Sequence, residues 1–196
     1  MNAIDGKLKS SILTRNDIVH INKWLNEAKN DLGESSTPKI IYCASRDGWH
    51  IDDFHSKCDK KGATITVVKT SKGHILGGYS DKSWIKYSES SRSYTTARSS
   101  ENAFLFSLKN PAGFIPTKLR LKPSHDRYAI YTGQSLGPSF GYGYDLRIGI
   151  DLDMKKGYTA VGTSYELPLG MSKYFLTGTS GSYNPFDIEE IEVFQV

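Results

Sequence analysis

From residue 63 to residue 196 the chain runs through short apolar or alternating stretches divided by Gly, Pro, Ser and Asn, with no helical pattern between them. That absence constrains the fold most. Successive parallel strands need a crossover, usually a helix, so parallel α/β architectures are excluded and an antiparallel arrangement is left. The stretch 63–69 (ATITVVK) alternates and is rich in β-branched residues, and 74–79 returns across the turn Thr70-Ser71-Lys72-Gly73 as a hairpin partner. Further strands are expected at 103–109, 119–121, 128–132, 145–150, 163–167, 175–179 and 188–196. The stretch 40–44 (IIYCA) is continuous and apolar, as a strand buried on both faces is. Residues 151–157 read as a polar turn, and 85–101, rich in Ser, Thr and Tyr, as an exposed mobile loop. The acids in the final IEEIEVFQV place it at an edge, or give it one wet face. The predicted class is α+β: a two-sheet antiparallel β-sandwich with flanking helices.

Two helices are legible before that. Thr14 and Asp17 form a capping-box-like pair, Leu13 and Ile18 occupy staple positions, and Ile18, Ile21, Leu25, Ala28 and Leu32 make one stripe that Trp24 widens. Gly33 ends it. The stripe needs a surface to cover, so residues 1–33 are expected to be a helical arm packed on a domain spanning 34–196. A second helix is expected over 50–60, with Ile51, Phe54 and Cys58 on one face, Asp52 and Asp53 in its first turn and lysines at its end.

The length suits one globular unit. The first residues lack the apolar stretch of a signal peptide, which points to the cytoplasm. Two cysteines, Cys43 and Cys58, are too few for a disulfide framework; they read as reduced thiols, with a redox role as the alternative. The net charge of +4 is mild, and the densest alternating group, Lys118, Arg120 and Lys122, looks like the wet face of a strand with Leu119 and Leu121 behind it. No nucleic-acid partner, stable membrane insertion or small-molecule substrate is expected.

The stretch 137–150, GPSFGYGYDLRIGI, invites comparison with a phosphate loop. It fails, because GxGxxG would need glycine where Leu146 stands and a helix after it. No GxSxG elbow is present; Ser164 and Ser180 come nearest without matching, and a triad from the five histidines stays only arithmetically open. His50 and His55 do not share a helical face, and Asp151 and Asp153 are followed by Met-Lys-Lys rather than calcium ligands, so neither metal nor cofactor is expected. Two acids in glycine-rich settings remain, Asp81 in GGYSDKSW and Asp145 in GYGYDL. Each either ties a loop to backbone amides or meets a partner. The positions singled out for those roles are Gly77, Gly78, Asp81, Trp84, Gly141, Gly143, Asp145 and Glu190.

IYCASRDGWHIDDFHSKCDKKGATITVVK, GGYSDKSW, NAFLFSL, GPSFGYGYDL and IEEIEVFQV together resemble the TLDc domain family, over nearly the whole chain and most firmly from residue 40 onward. The arm ILTRNDIVHINKWL resembles the segment that precedes TLDc in proteins carrying a BTB module, and the Ser/Tyr-rich 86–100 is longer than in many members. The resemblance implies a two-sheet sandwich, a monomeric non-enzymatic module linked to oxidative-stress resistance, and binding to peripheral V1 subunits of the V-type proton ATPase. It implies a cytoplasmic protein able to sit at the periphery of vacuolar or lysosomal membranes. Two alternatives stay open: a hydrolase or thiol-based redox enzyme, and a peripheral membrane-binding β-sandwich.

Overall fold

A computed structural model describes residues 9–28, 38–86, 95–179 and 185–196. The first helix, α1 (Arg15–Ala28), starts where the capping box places it. The Thr14 N–H and hydroxyl both donate to Asp17 Oδ2, at 2.9 and 2.6 Å, while the Asp17 N–H donates back to Thr14 Oγ1 at 3.3 Å. Its end at Gly33 lies outside the described residues.

Strand β1 (Lys39–Cys43) leads into a single-turn helix, α2 (Ala44–Asp47), and then into α3 (Ile51–Cys58). The remaining elements are strands β2 (Thr64–Thr70), β3 (Ile75–Ser80), β4 (Thr95–Arg98), β5 (Phe104–Lys109), β6 (Thr117–Arg120), β7 (Ile130–Gly133), β8 (Ser139–Phe140), β9 (Leu146–Ile150), β10 (Asp153–Thr159) and β11 (Phe186–Gln195), with a 3-10 helix (Pro123–Tyr128) between β6 and β7. All pairings between these strands are antiparallel among the described residues; one isolated bridge, Asp59 to Trp84, is parallel.

The two expected sheets are one continuous hydrogen-bonded surface that folds back on itself. Its order is β4-β7-β8-β9-β10-β11-β2-β3-β5-β6, with β1 also on β11. Strand β11 belongs to both halves. Phe186 and Asp187 pair with β10, then the register shifts between Ile188 and Glu190, and the rest pairs with β2 on one side and β1 on the other. The bend is possible because Gly157 has no side chain: a Cβ there would lie 2.4 Å from the Phe186 ring.

Between the halves lies the main core. Val68, Leu76, Leu105 and Leu119 from one half meet Ile130, Phe140, Leu146 and Met154 from the other, and Ile51, Phe54 and Trp84 close one end. Helix α1 lays Ile21, Trp24 and Leu25 on the outer face of the first half, against Ile65, Val67, Phe104, Phe106 and Phe194. Covered on both faces, β2 and β3 are buried at nearly every position, as the apolar density of their sequences requires.

Several expectations are corrected. Residues 95–98 form β4, paired with β7; residues 87–94 of the expected loop lie outside the described residues. Of the expected polar turn 151–157 only 151 and 152 turn; from Asp153 the chain is already in β10. Residues 163–167 and 175–179 are not strands: the first makes a single bridge, Leu121 to Tyr165, and the second is turn. The final strand is central, not an edge.

Candidate functional site

The stretch 137–150 crosses from β8 to β9 through a tight turn, with Gly141 at φ +80°, Gly143 at +72° and Tyr144 at +65°. Asp145 sits at the end of that turn, fully buried. Its carboxylate accepts four backbone N–H groups: Oδ1 from Gly162 at 2.8 Å, Thr163 at 3.0 Å and Tyr165 at 3.3 Å, and Oδ2 from Ser164 at 2.9 Å. Burial pushes the carboxyl pKa up, and the N–H groups pull against it by favouring the charged form. Gly141 is needed beside this clamp. A Cβ there would lie 2.2 Å from Asp145 Oδ2, and its φ is one that side chains avoid.

Two more links fasten the loop. The Tyr142 N–H donates to Ser164 Oγ at 2.8 Å. The Gly141 N–H and the Tyr165 hydroxyl both donate to Ala129 O, at 3.1 and 2.7 Å. Residues 163–167 therefore do not pair as a strand: the N–H groups of Thr163, Ser164 and Tyr165 are held by Asp145.

The two glycine-rich stretches singled out in the sequence converge inside the sandwich. Trp84 and Phe140 meet edge to face at 5.5 Å, and Phe140 meets Tyr165 at 6.4 Å. Burial raises the Tyr165 hydroxyl pKa, and Asp145 and Asp81 add to the shift from their sides. Trp84 is buried and donates from Nε1 to Thr64 Oγ1 at 2.9 Å. Gly77 and Gly78 allow close approach: a Cβ on Gly78 would lie 2.7 Å from the Phe140 ring, and one on Gly77 would lie 1.9 Å from Thr66 O. Asp81 is partly exposed; Oδ2 lies 3.1 Å from its neighbour Lys82 Nζ, while Oδ1 is buried without a hydrogen-bond partner.

The remaining candidates lie elsewhere. Glu190 Oε1 accepts the Ser45 N–H at 3.1 Å and so holds the start of α2. Cys43 is half-buried, with Sγ 3.5 Å from Ser45 Oγ. Cys58 is fully buried, and burial, helped by Asp59 and Asp47, pushes its thiol pKa well up. Gly143 is exposed with open space around it.

Sequence reasoning missed two buried polar anchors. His55 spans α3 and β7, with Nδ1 2.8 Å from Asp59 Oδ1 and Nε2 3.2 Å from Gly133 O. Its four-residue spacing from Asp59 was the available signal. Glu192 is 2% exposed and accepts the Ser10 hydroxyl, the Ser11 N–H at 2.7 Å and the Ser11 hydroxyl at 2.9 Å. Among the described residues no group of three or more His, Cys, Asp or Glu side chains is arranged to hold a metal ion.

Outside the clamp the loop turns a polar-aromatic face to solvent. Tyr142 is 56% exposed and lies 5.2 Å from the half-buried Tyr128 ring; Tyr144 meets Tyr131 at 5.8 Å. Arg127 flanks Tyr128 at 5.8 Å and Arg147 flanks Tyr144 at 5.2 Å. Burial raises the Tyr131 hydroxyl pKa, and Tyr128, Tyr142 and Tyr144 all add to it, which marks the four rings as one cluster. Of the glycine-rich stretch, then, Phe140 and Asp145 face inward and Tyr142 faces out.

A family model for the TLDc domain matches residues 6–196. The chain belongs to the TLDc domain family. The match begins ahead of α1, so α1 falls within the matched span. No curated protein matches the chain. In this TLDc chain the GPSFGYGYDL stretch is where the buried carboxylate clamp and the tyrosine face meet.

Proposed function

We propose that this TLDc chain is a non-enzymatic interaction module that contributes to oxidative-stress resistance by docking on peripheral V1 subunits of the V-type proton ATPase. The carrying observation is the face built from Tyr128, Tyr131, Tyr142 and Tyr144 with Arg127 and Arg147. Tyr and Arg are among the residue types that supply most binding energy at protein interfaces. This face is held in place beforehand, since the turn beneath it is tied by the Asp145 carboxylate to four backbone amides. Preorganisation lowers the ordering cost of binding. Family membership supports the oxidative-stress role, and the V1 partner and this surface are our assignment. The buried, poorly acidic Cys58 thiol argues against that residue as a nucleophile.

The test is capture of V1 subunits from cell lysate at low salt by the wild-type chain, by Tyr142→Ala and by Arg147→Glu. Wild-type capture should fall roughly 10- to 100-fold in the variants, the range of an interface hot spot, with thermal stability unchanged for Tyr142→Ala. No V1 recovered by wild type removes the partner. Recovery untouched by both variants removes the surface.

A further inference from the structure

A different end of the sandwich carries three neighbouring loops: the β2–β3 turn at 70–74, the β5–β6 connection at 109–117 and the segment 167–179. Lys109 Nζ comes within 3.8 Å of where a Gly73 Cβ would stand, and Pro111 within 2.9 Å of a Gly178 Cβ. Thr177 shares a cleft with Thr70 and His74, and Pro111 and Phe114 share a groove with Gly170 and Tyr174.

The composition of this end is unlike the rest of the chain. Its three segments hold Lys72, Lys109 and Lys173 and no Asp or Glu, in a sequence that carries 21 acids. All three lysines are exposed. None is among the ion pairs of the described residues, whereas Lys69 and Lys156 pair with Glu189 and Asp187. Between the lysines stand three of the six large apolar side chains that are exposed among the described residues: Phe114 at 39%, Ile115 at 80% and Leu169, fully exposed. One exposed apolar residue needs no explanation. Three on adjacent loop tips, beside three lysines outside those ion pairs, do; of the two acids that border this end, Asp187 is paired with Lys156, and Glu166 lies on the far side of Leu167.

We propose that this end seats on an anionic bilayer surface, with Ile115 and Leu169 entering the boundary between headgroups and acyl chains and the three lysines meeting headgroup phosphates. The lysines favour a membrane over a protein here. Protein interfaces are depleted in Lys, whereas Lys at a bilayer lays its stem on apolar material and keeps its ammonium in the headgroup layer. The apolar residues also protrude from tips that Pro111, Pro116 and Pro168 stiffen, a shape suited to insertion. No helix among the described residues is long and apolar enough to cross a membrane, so the contact is peripheral. The proposal uses none of the tyrosine-face residues and stands apart from the V1 reading.

The test is sedimentation with vesicles of phosphatidylcholine alone and with roughly 30 mol% phosphatidylserine added, the anionic component being what juxtamembrane lysines respond to. Wild type should bind the anionic vesicles and bind the neutral ones at least about tenfold more weakly. Ile115→Asp with Leu169→Asp should lose at least about tenfold. Lys72→Glu, Lys109→Glu and Lys173→Glu together should lose on the order of 100-fold, roughly fivefold per lysine. All these positions are exposed, so thermal stability serves as the control for folding. Tyr142→Ala should bind vesicles like wild type, which keeps this result separate from any failure of V1 capture. Wild type remaining in the supernatant with both vesicle types overturns the proposal, as does undiminished binding by either variant set. V1 capture lost in Ile115→Asp with Leu169→Asp, in a chain that ignores vesicles, gives this end to a protein and overturns it equally.

Discussion

Replacing Asp145 with alanine leaves four backbone N–H groups, those of Gly162, Thr163, Ser164 and Tyr165, facing a buried site with no acceptor, and none regains a partner unless the segment opens to water. Hydrogen bonds to a charged group contribute about 1.5–3 kcal/mol each. The variant also no longer buries a carboxylate, which offsets several kcal/mol. The net loss expected is about 3–5 kcal/mol, the range for breaking a buried charged network from one side. In a chain of this size that lowers Tm by roughly 10 °C. Asp145→Asn should lose less, about 2 kcal/mol: its oxygen can take the place of Oδ1 and keep Gly162, Thr163 and Tyr165, while its NH2 then faces the Ser164 N–H, donor against donor. Urea unfolding gives the free energies, and hydrogen exchange at residues 162–165 gives the local effect. A loss below about 1 kcal/mol for alanine, or unchanged exchange protection at those four amides, would refute the clamp.

Gly78→Ala should cost about 1–3 kcal/mol by overpacking, because the new methyl meets both Phe140 and Leu105; equal urea midpoints would show that the two halves are less tightly apposed there. The Arg46 guanidinium first, and the Cys43 amide after it, hold Asp47 below the ordinary carboxylate range against the cost of partial burial. A depressed folded pKa gives stability that is present above the unfolded value, near 3.9, and is lost as pH falls through the folded value. Asp47→Asn should therefore flatten the acid limb of the stability profile below about pH 4, and an unchanged limb counts against it. Cys43 should react with a maleimide well before Cys58 in the native chain, and mass spectrometry after partial labelling reads the order; equal rates would mean that α3 opens readily.

What could be read in the sequence was local chemistry. Thr14 and Asp17 announce α1 because a capping box needs only its own residues. Asp145 announces a buried acid because glycines crowd it, though the donors that hold it come from residues 162–165 and carry no mark of that role. The terminal strand misleads for the opposite reason. Its acids look like a wet face, and at Asp187 and Glu189 they are one, exposed and paired with Lys156 and Lys69; but Glu190 holds the Ser45 amide, and Glu192 is buried and holds Ser10 and Ser11. Each partner lies far away in the chain, so neither period nor propensity reports it. Strand β10 was hidden because Lys155, Lys156 and Gly157 resemble a turn; the glycine is there to admit the Phe186 ring. Tyr142 and Tyr144 were visible as part of a special loop, but only the fold brings Tyr128 and Tyr131 beside them.

Strand β11 sets how this domain can come into being. Gln195 lies opposite both Lys39 and Thr64, and Asp187 opposite Lys156, so the strand closes loops over most of the chain's length at once. Neither half of the sandwich can be finished from residues 39–179 alone. Such non-local closure makes folding slow, on the scale of milliseconds to seconds, and leaves the edges of β2 and β10 bare until it happens. During that interval the nascent sandwich has two unsatisfied strand edges over an apolar interior, the arrangement that chaperones bind and that pairs with other unfinished copies when they are crowded.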